Sequence, residues 1–216
     1  ESFQGYESTI FVQFQRTEIK IEINLVVRGS VYQPVAKTLC PSAAEKFQRD
    51  VEIQCLSHDD LFGGKICAAL DRQHPRDLFD VYMFFKDFTY TRELHLAFIV
   101  YLLSGKRPIS ELIMPNKVNL KDTYERHFHG MSFIAISLED LEITRDKLFN
   151  TVASFFTSDE KEFLISFKTG IPKWDLFPLE RIKDLPSVQW KLRNIQTMDT
   201  EKRLKSLKAL EQKLSD

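Results

Sequence analysis

One stretch of this 216-residue chain constrains the fold more than any other: residues 57–85, which read as two helices with a short turn between them. Ser57 and Asp60 stand three apart, a capping-box spacing that satisfies free amides at a helix start. Leu61, Ile66, Ala69 and Leu70 give the first helix an apolar side, while Lys65 and Arg72, seven residues apart, share a different one. Gly63 and Gly64 each cost about 1 kcal/mol relative to Ala inside a helix, which is tolerable where something must approach the backbone closely. Pro75 suits the first turn of the second helix, and Asp77 favours its positive end. Leu78, Val81, Tyr82 and Phe85 then form a buried stripe and leave Arg76, Asp77 and Asp80 on more polar sides.

Upstream, period-two alternation replaces the helical period. Residues 9–16 carry β-branched and aromatic side chains and read as a strand. A turn at Thr17–Glu18 leads to a second strand ending at Val27, where Ile19, Ile21, Ile23 and Leu25 face one way and Lys20, Glu22 and Asn24 the other. Together they predict an antiparallel hairpin. A third extended piece, 31–39, is weakened by Pro34, residues 41–50 give no clear signal, and 51–56 alternate again up to the Ser57 cap.

Beyond Phe88 the pattern is helical. Residues 92–103 read as a buried helix, 106–115 as a loop with room for a turn of helix, and 122–131 are undetermined. Ser137 with Asp140 opens a helix to Phe156, and Ser158 opens another through Phe167. Gly170, Pro172 and Pro178 break the chain. Short helices fit 179–183 and 187–195, and 199–214 is amphipathic, with Leu204, Leu207, Leu210 and Leu214 near one stripe. The expected class is therefore α+β: a mixed sheet with helices over residues 1–90, then an all-helical domain over 91–216.

Composition narrows the partners. The net charge is −1, so no global basic field attracts nucleic acid, although residues 181–216 carry a local excess of +4. The three cysteines, Cys40, Cys55 and Cys67, are odd in number and lack Cys-x-x-Cys spacing, which points to a reducing cytoplasm. No stretch is apolar for long enough to span a membrane, and no secretory signal stands at the start.

The helix pair resembles motifs three and four of the AbiEii-type nucleotidyltransferase toxins, an abortive-infection family with a DNA polymerase β-like fold. That family shows Lys-x-x-Ala-x-x-x-Arg followed by Arg-Asp-hydrophobic-hydrophobic-Asp. Here the matching residues are Lys65, Ala68 or Ala69, Arg72, then Arg76, Asp77 and Asp80. The strand 19–23 carries Glu22 where the family's second motif has an acidic residue. The resemblance implies transfer of a nucleotide from a nucleoside triphosphate to an RNA acceptor such as tRNA, with Mg2+ as cofactor and a cognate antitoxin as partner. It implies Lys65, Asp77 and Asp80 as catalytic residues, Arg72 and Arg76 as substrate binders and Glu22 as a metal ligand.

The family's first motif, a Gly-Ser turn followed by an acidic pair, has no counterpart. Gly29-Ser30 is the one Gly-Ser, and the next acidic residue is Glu45. The chain is accordingly expected to be an N-terminally truncated nucleotidyltransferase core, inactive by itself. The alternative is a catalytically dead module that keeps the fold to bind a nucleotide or a protein. Minor signals include His127-Phe128-His129 as a weak metal pair on a strand, and Trp174, Trp190, Lys191 and Arg193 as an RNA grip; packing is the plainer role for the tryptophans.

Overall fold

The computed structural model describes residues 9–22 and 29–215. It is α+β and mostly helical. Strand β1 (Thr9–Phe14) pairs antiparallel with β2 (Thr17–Glu22), setting Ile10 opposite Ile21 and Val12 opposite Ile19. The turn falls at Gln15–Arg16, two residues earlier than the sequence suggests, and Gln15 takes a left-handed φ of 55° there. Residues 23–27 of the expected second strand lie outside the described residues.

A second hairpin pairs β3 (Val35–Thr38) with β4 (Glu52–Cys55). Helix α1 (Pro41–Phe47) spans the connection, over residues whose sequence gave no clear signal. Among the described residues the strands form two separate antiparallel pairs where one mixed sheet was expected.

Helices α2 (His58–Arg72) and α3 (Pro75–Asp87) follow, as the capping and proline signals indicate. The core stripe of α3 is Leu78, Val81 and Phe84, with Tyr82 and Phe85 only half-buried, and Leu61 of α2 is exposed. Then come α4 (Arg92–Leu102), α5 (Ile109–Ile113), α6 (Lys121–His127), α7 (Leu138–Phe155) and α8 (Ser158–Thr169). Short 3-10 turns at Trp174–Leu176 and Glu180–Asp184 lead into α9 (Pro186–Gln196) and α10 (Thr200–Ser215). Helices α1, α5 and α6 lack a side-chain cap, and the one start signal among them is Pro41 in the first turn of α1. Helix α8 is capped by Thr157, one residue before the expected Ser158, with Glu160 closing the capping box.

One apolar core runs from Ile66 on α2 to Leu214 on α10. Helix α10 docks on α8 and α5 of its own chain through Leu210 and Leu214, and leaves Leu204 exposed. No helix among the described residues is long and apolar enough to cross a membrane.

The close approach that Gly63 and Gly64 allow is made by α4. A Cβ on Gly63 would sit 3.0 Å from the Phe98 backbone nitrogen, and one on Gly64 would sit 3.1 Å from the Tyr101 ring. The first obstacle is backbone and cannot swing aside. Gly63→Ala is therefore expected to lower stability by about 1–2 kcal/mol, although Ala is the better helix former by about 1 kcal/mol. A urea midpoint that rises in this variant would refute that packing account.

Candidate functional site

Helices α2 and α3 form a tight hairpin whose turn is set by Gln73. This residue closes α2 with a left-handed φ of 47° while its N–H donates to Ala69 O. Its side chain is buried. The Gln73 amide donates to Asn116 O at 2.7 Å and accepts from Val118 N at 3.2 Å and Arg145 Nη1 at 3.4 Å. Four hydrogen bonds thus hold a conformation that a non-glycine residue seldom adopts. His74 then caps α3, its Nδ1 accepting from Arg76 N at 3.1 Å. Burial, then the charge of Arg76, lowers the pKa of that imidazole.

The hairpin brings four of the sequence-derived site residues into two ion pairs. Lys65 Nζ lies 2.6 Å from Asp80 Oδ2, across the α2–α3 interface. Arg72 grips Asp77 with two bonds, Nε to Oδ2 at 2.9 Å and Nη2 to Oδ1 at 2.6 Å. The bond to Asp77 holds the Arg72 guanidinium above its ordinary pKa. The four-residue spacing of Arg76 and Asp80 would allow a pair on one helix, but none forms, because Asp80 is engaged by Lys65. Arg76 is exposed, and among the described residues its guanidinium makes no ion pair.

The Lys65–Asp80 bridge is only partly shielded, with side-chain exposures of 35% and 41%. Exposed pairs of this kind are worth about 1 kcal/mol or less. Such a bridge holds Lys65 in place yet opens readily to a more highly charged anion. Beside it lies an open cleft of about 610 Å³, with Arg76, Phe79 and Asp80 of α3 on one side and residues 128–134 on the other.

Glu22 ends β2, opposite Thr9. Its side chain lies outside the described residues. Among the described residues no group of three or more His, Cys, Asp or Glu side chains is arranged to hold a metal ion. His127 closes α6 and does not stand on a strand, so the spacing that suggested a metal pair is broken. The proposed RNA grip is also incomplete. Lys191 is buried, donating to the carbonyls of Gly105 and Arg107. Its ammonium is pushed down to about 8 by burial first and Lys168 second. Trp174 packs on Phe163 and Phe167.

Two residues matter more than their sequence context indicated. Asp60 is fully buried, and its carboxylate accepts from the backbone N–H groups of Val31 and Tyr32, each at 2.9 Å. Ser57 Oγ caps the Asp60 amide, but the reciprocal half of the box is absent, since the Asp60 carboxylate is turned toward the 29–34 segment. Glu160 is the second. It is 1% exposed, with Oε1 at 2.6 Å from Arg92 and Oε2 at 3.5 Å from the buried His95, and it ties α8 to α4. His95 Nδ1 in turn meets the Tyr90 hydroxyl at 3.0 Å. Burial and then the charge of Glu160 raise the pKa of that phenol.

A family model described as "Nucleotidyl transferase AbiEii toxin, Type IV TA system" matches residues 3–194. No curated protein and no solved structure matches the chain.

Proposed function

This chain belongs to the AbiEii nucleotidyl transferase toxin family, and from that premise we propose that it moves a nucleotide from a nucleoside triphosphate to an RNA acceptor such as tRNA. The type IV toxin–antitoxin assignment implies a nucleotide substrate and a cognate antitoxin. The observation that carries the reading is local. Two cation–carboxylate pairs, Lys65–Asp80 and Arg72–Asp77, bridge α2 and α3, and Asp80 of the first lines an open cleft that also offers the Arg76 guanidinium.

In this reading Lys65 supplies a compact positive charge to the triphosphate. Asp80 orients it before substrate arrives and releases it on binding. Asp77 fixes the Arg72 fork, whose remaining donors face phosphate, and Arg76 takes phosphate directly. Charge held in position ahead of the reaction is the main source of catalysis in phosphoryl-type transfers. Glu22 is proposed as the acidic residue of the second motif. The proposal includes Mg2+ as the ion that accompanies the nucleoside triphosphate. The described residues do not furnish a ligand set for it. Residues 1–90 are proposed as the nucleotidyltransferase portion and 91–216 as a helical domain.

The test is label transfer from a radiolabelled nucleoside triphosphate to tRNA, using the product of the complete reading frame. Lys65→Ala is expected to lower the rate about 100-fold or more, the usual cost of removing one preorganised charge. Full activity in Lys65→Ala would remove the assignment. No transfer by the wild type, with nucleotide still bound, would favour the binding-module alternative.

A further inference from the structure

The cleft beside Asp80 has a wall that folding does not explain. Phe128, the first residue after α6, is buried, and its ring lies 5.6 Å from that of Phe79 on α3. From this anchor the chain turns outward. Gly130 adopts a φ of 78°, and Met131 N donates to Phe128 O at 2.9 Å. Ser132 Oγ accepts from Ile134 N at 3.0 Å, and the Tyr124 hydroxyl holds Ile136 O at 2.8 Å. The segment is thus tied down at several points, yet it presents Met131 65% exposed and Phe133 fully exposed. On the α3 side of the same cleft is the exposed Arg76, with no ion-pair partner among the described residues.

Apolar side chains held in water next to an unpaired cation suit a ligand with a flat π-face and an adjacent negative charge, which describes a nucleotide. The cleft is open, and the Ser132 hydroxyl is already engaged by the Ile134 amide. A site built to read one base would place hydrogen-bond partners on its edge; an open aromatic platform with a cation instead accepts any unpaired base.

We propose that Phe133 and Met131 form a stacking platform for the unpaired terminal bases of the acceptor RNA, with Arg76 holding the adjoining phosphate. The inference rests on reading Lys65 and Asp80 as the transfer site and names where the acceptor strand lies beside it. The platform is sequence-tolerant, and any preference among acceptors comes from whether a single-stranded end is available.

The test is binding of a fluorescein-labelled single-stranded RNA octamer to the 216-residue chain, without nucleoside triphosphate or metal. Phe133→Ala is expected to weaken binding about tenfold, the effect of losing one stacked base. Phe133→Trp is expected to retain affinity and to show quenched emission when the octamer is added. Arg76→Ala is expected to weaken binding and to reduce its salt dependence by about one phosphate contact. Because the Phe133 side chain is exposed, thermal midpoints of the variants should match the wild type. Wild-type affinity in Phe133→Ala overturns the proposal. So does competition by a mononucleotide or by blunt duplex RNA as strong as that of the octamer. The outcome is separable from the transfer assay. Phe133-dependent binding without label transfer would sink the enzymatic reading alone, and label transfer unaffected by Phe133→Ala would sink the platform alone.

Discussion

Glu160→Ala is expected to lose about 3 kcal/mol of stability, the low end of the about 3–5 kcal/mol typical when one partner of a buried ion pair is removed. The carboxylate is buried, and three groups depend on it: Arg92, His95 and the Thr157 amide at the start of α8. Arg92 is 41% exposed and can rehydrate, which moderates the loss. His95 is fully buried and cannot. The Thr157 hydroxyl still caps the residue-160 amide, but the Thr157 backbone N–H loses the carboxylate that completed the capping box. Glu160→Gln keeps the shape and an acceptor for Thr157 N, so its cost should be smaller. Urea denaturation with an unchanged slope measures both variants. A change under about 0.5 kcal/mol in Glu160→Ala would show that the network does not hold α8 to α4.

The same carboxylate gives a pH signature. Burial pushes its pKa up. Hydrogen bonds from His95 and the Thr157 amide, with the charges of His95 and Arg92, outweigh that and hold it below the ordinary glutamate range. A depressed carboxylate pKa contributes stability that is fully present above its unfolded value, about 4.3. That stability is lost as pH falls through the folded value. The wild type should weaken on acidification below about pH 4.3. Glu160→Gln should weaken less over the same range, and parallel curves would refute the linkage.

Asp60→Ala is expected to cost about 2–4 kcal/mol, since hydrogen bonds to a charged acceptor are worth about 1.5–3 kcal/mol each and two backbone donors lose theirs. The loss should be local as well as global. Val31 and Tyr32 donate to Asp60 from a connection between the two hairpins and the helical body, so their amides should exchange with solvent much faster in the variant. The Tyr32 hydroxyl donates to Glu93 O at 2.7 Å and gives the segment one independent tether. Unchanged amide exchange at both positions would show that this tether suffices.

Local signals in the sequence were read well where their physics is local. Ser57, Pro75, Ser137 and the amphipathic stripe at 199–214 mark element starts and faces because caps and periodicity need only near neighbours. Partner choice was not legible. Spacing rules pair residues within one helix and would allow Arg76 to meet Asp80. The chain reverses at Gln73 and pairs Lys65 with Asp80 and Arg72 with Asp77 across two helices. Asp60 was misread for a related reason. A carboxylate three residues after a serine fits a capping box, and nothing nearby reveals that its oxygens turn to a strand connection 28 and 29 residues earlier. Helices α1 and α6 lack side-chain caps and, Pro41 aside, have no clear signal in the sequence, while α5 is the turn of helix that the 106–115 loop allows.

Gln73 shows why a position that seems made for glycine carries a long amide. Glycine would accept the left-handed backbone at no steric cost, but it would sever every bond that the side chain makes to 116–118 and Arg145. The bend that aims Arg72 at Asp77 is therefore keyed from behind. The partners at 116 and 118 are backbone groups, so a change at Arg145, which does not line the cleft, is the side-chain route by which the spacing of the paired charges can be retuned through this one hinge. Inheritable adjustment of this site need not touch any residue that meets the substrate.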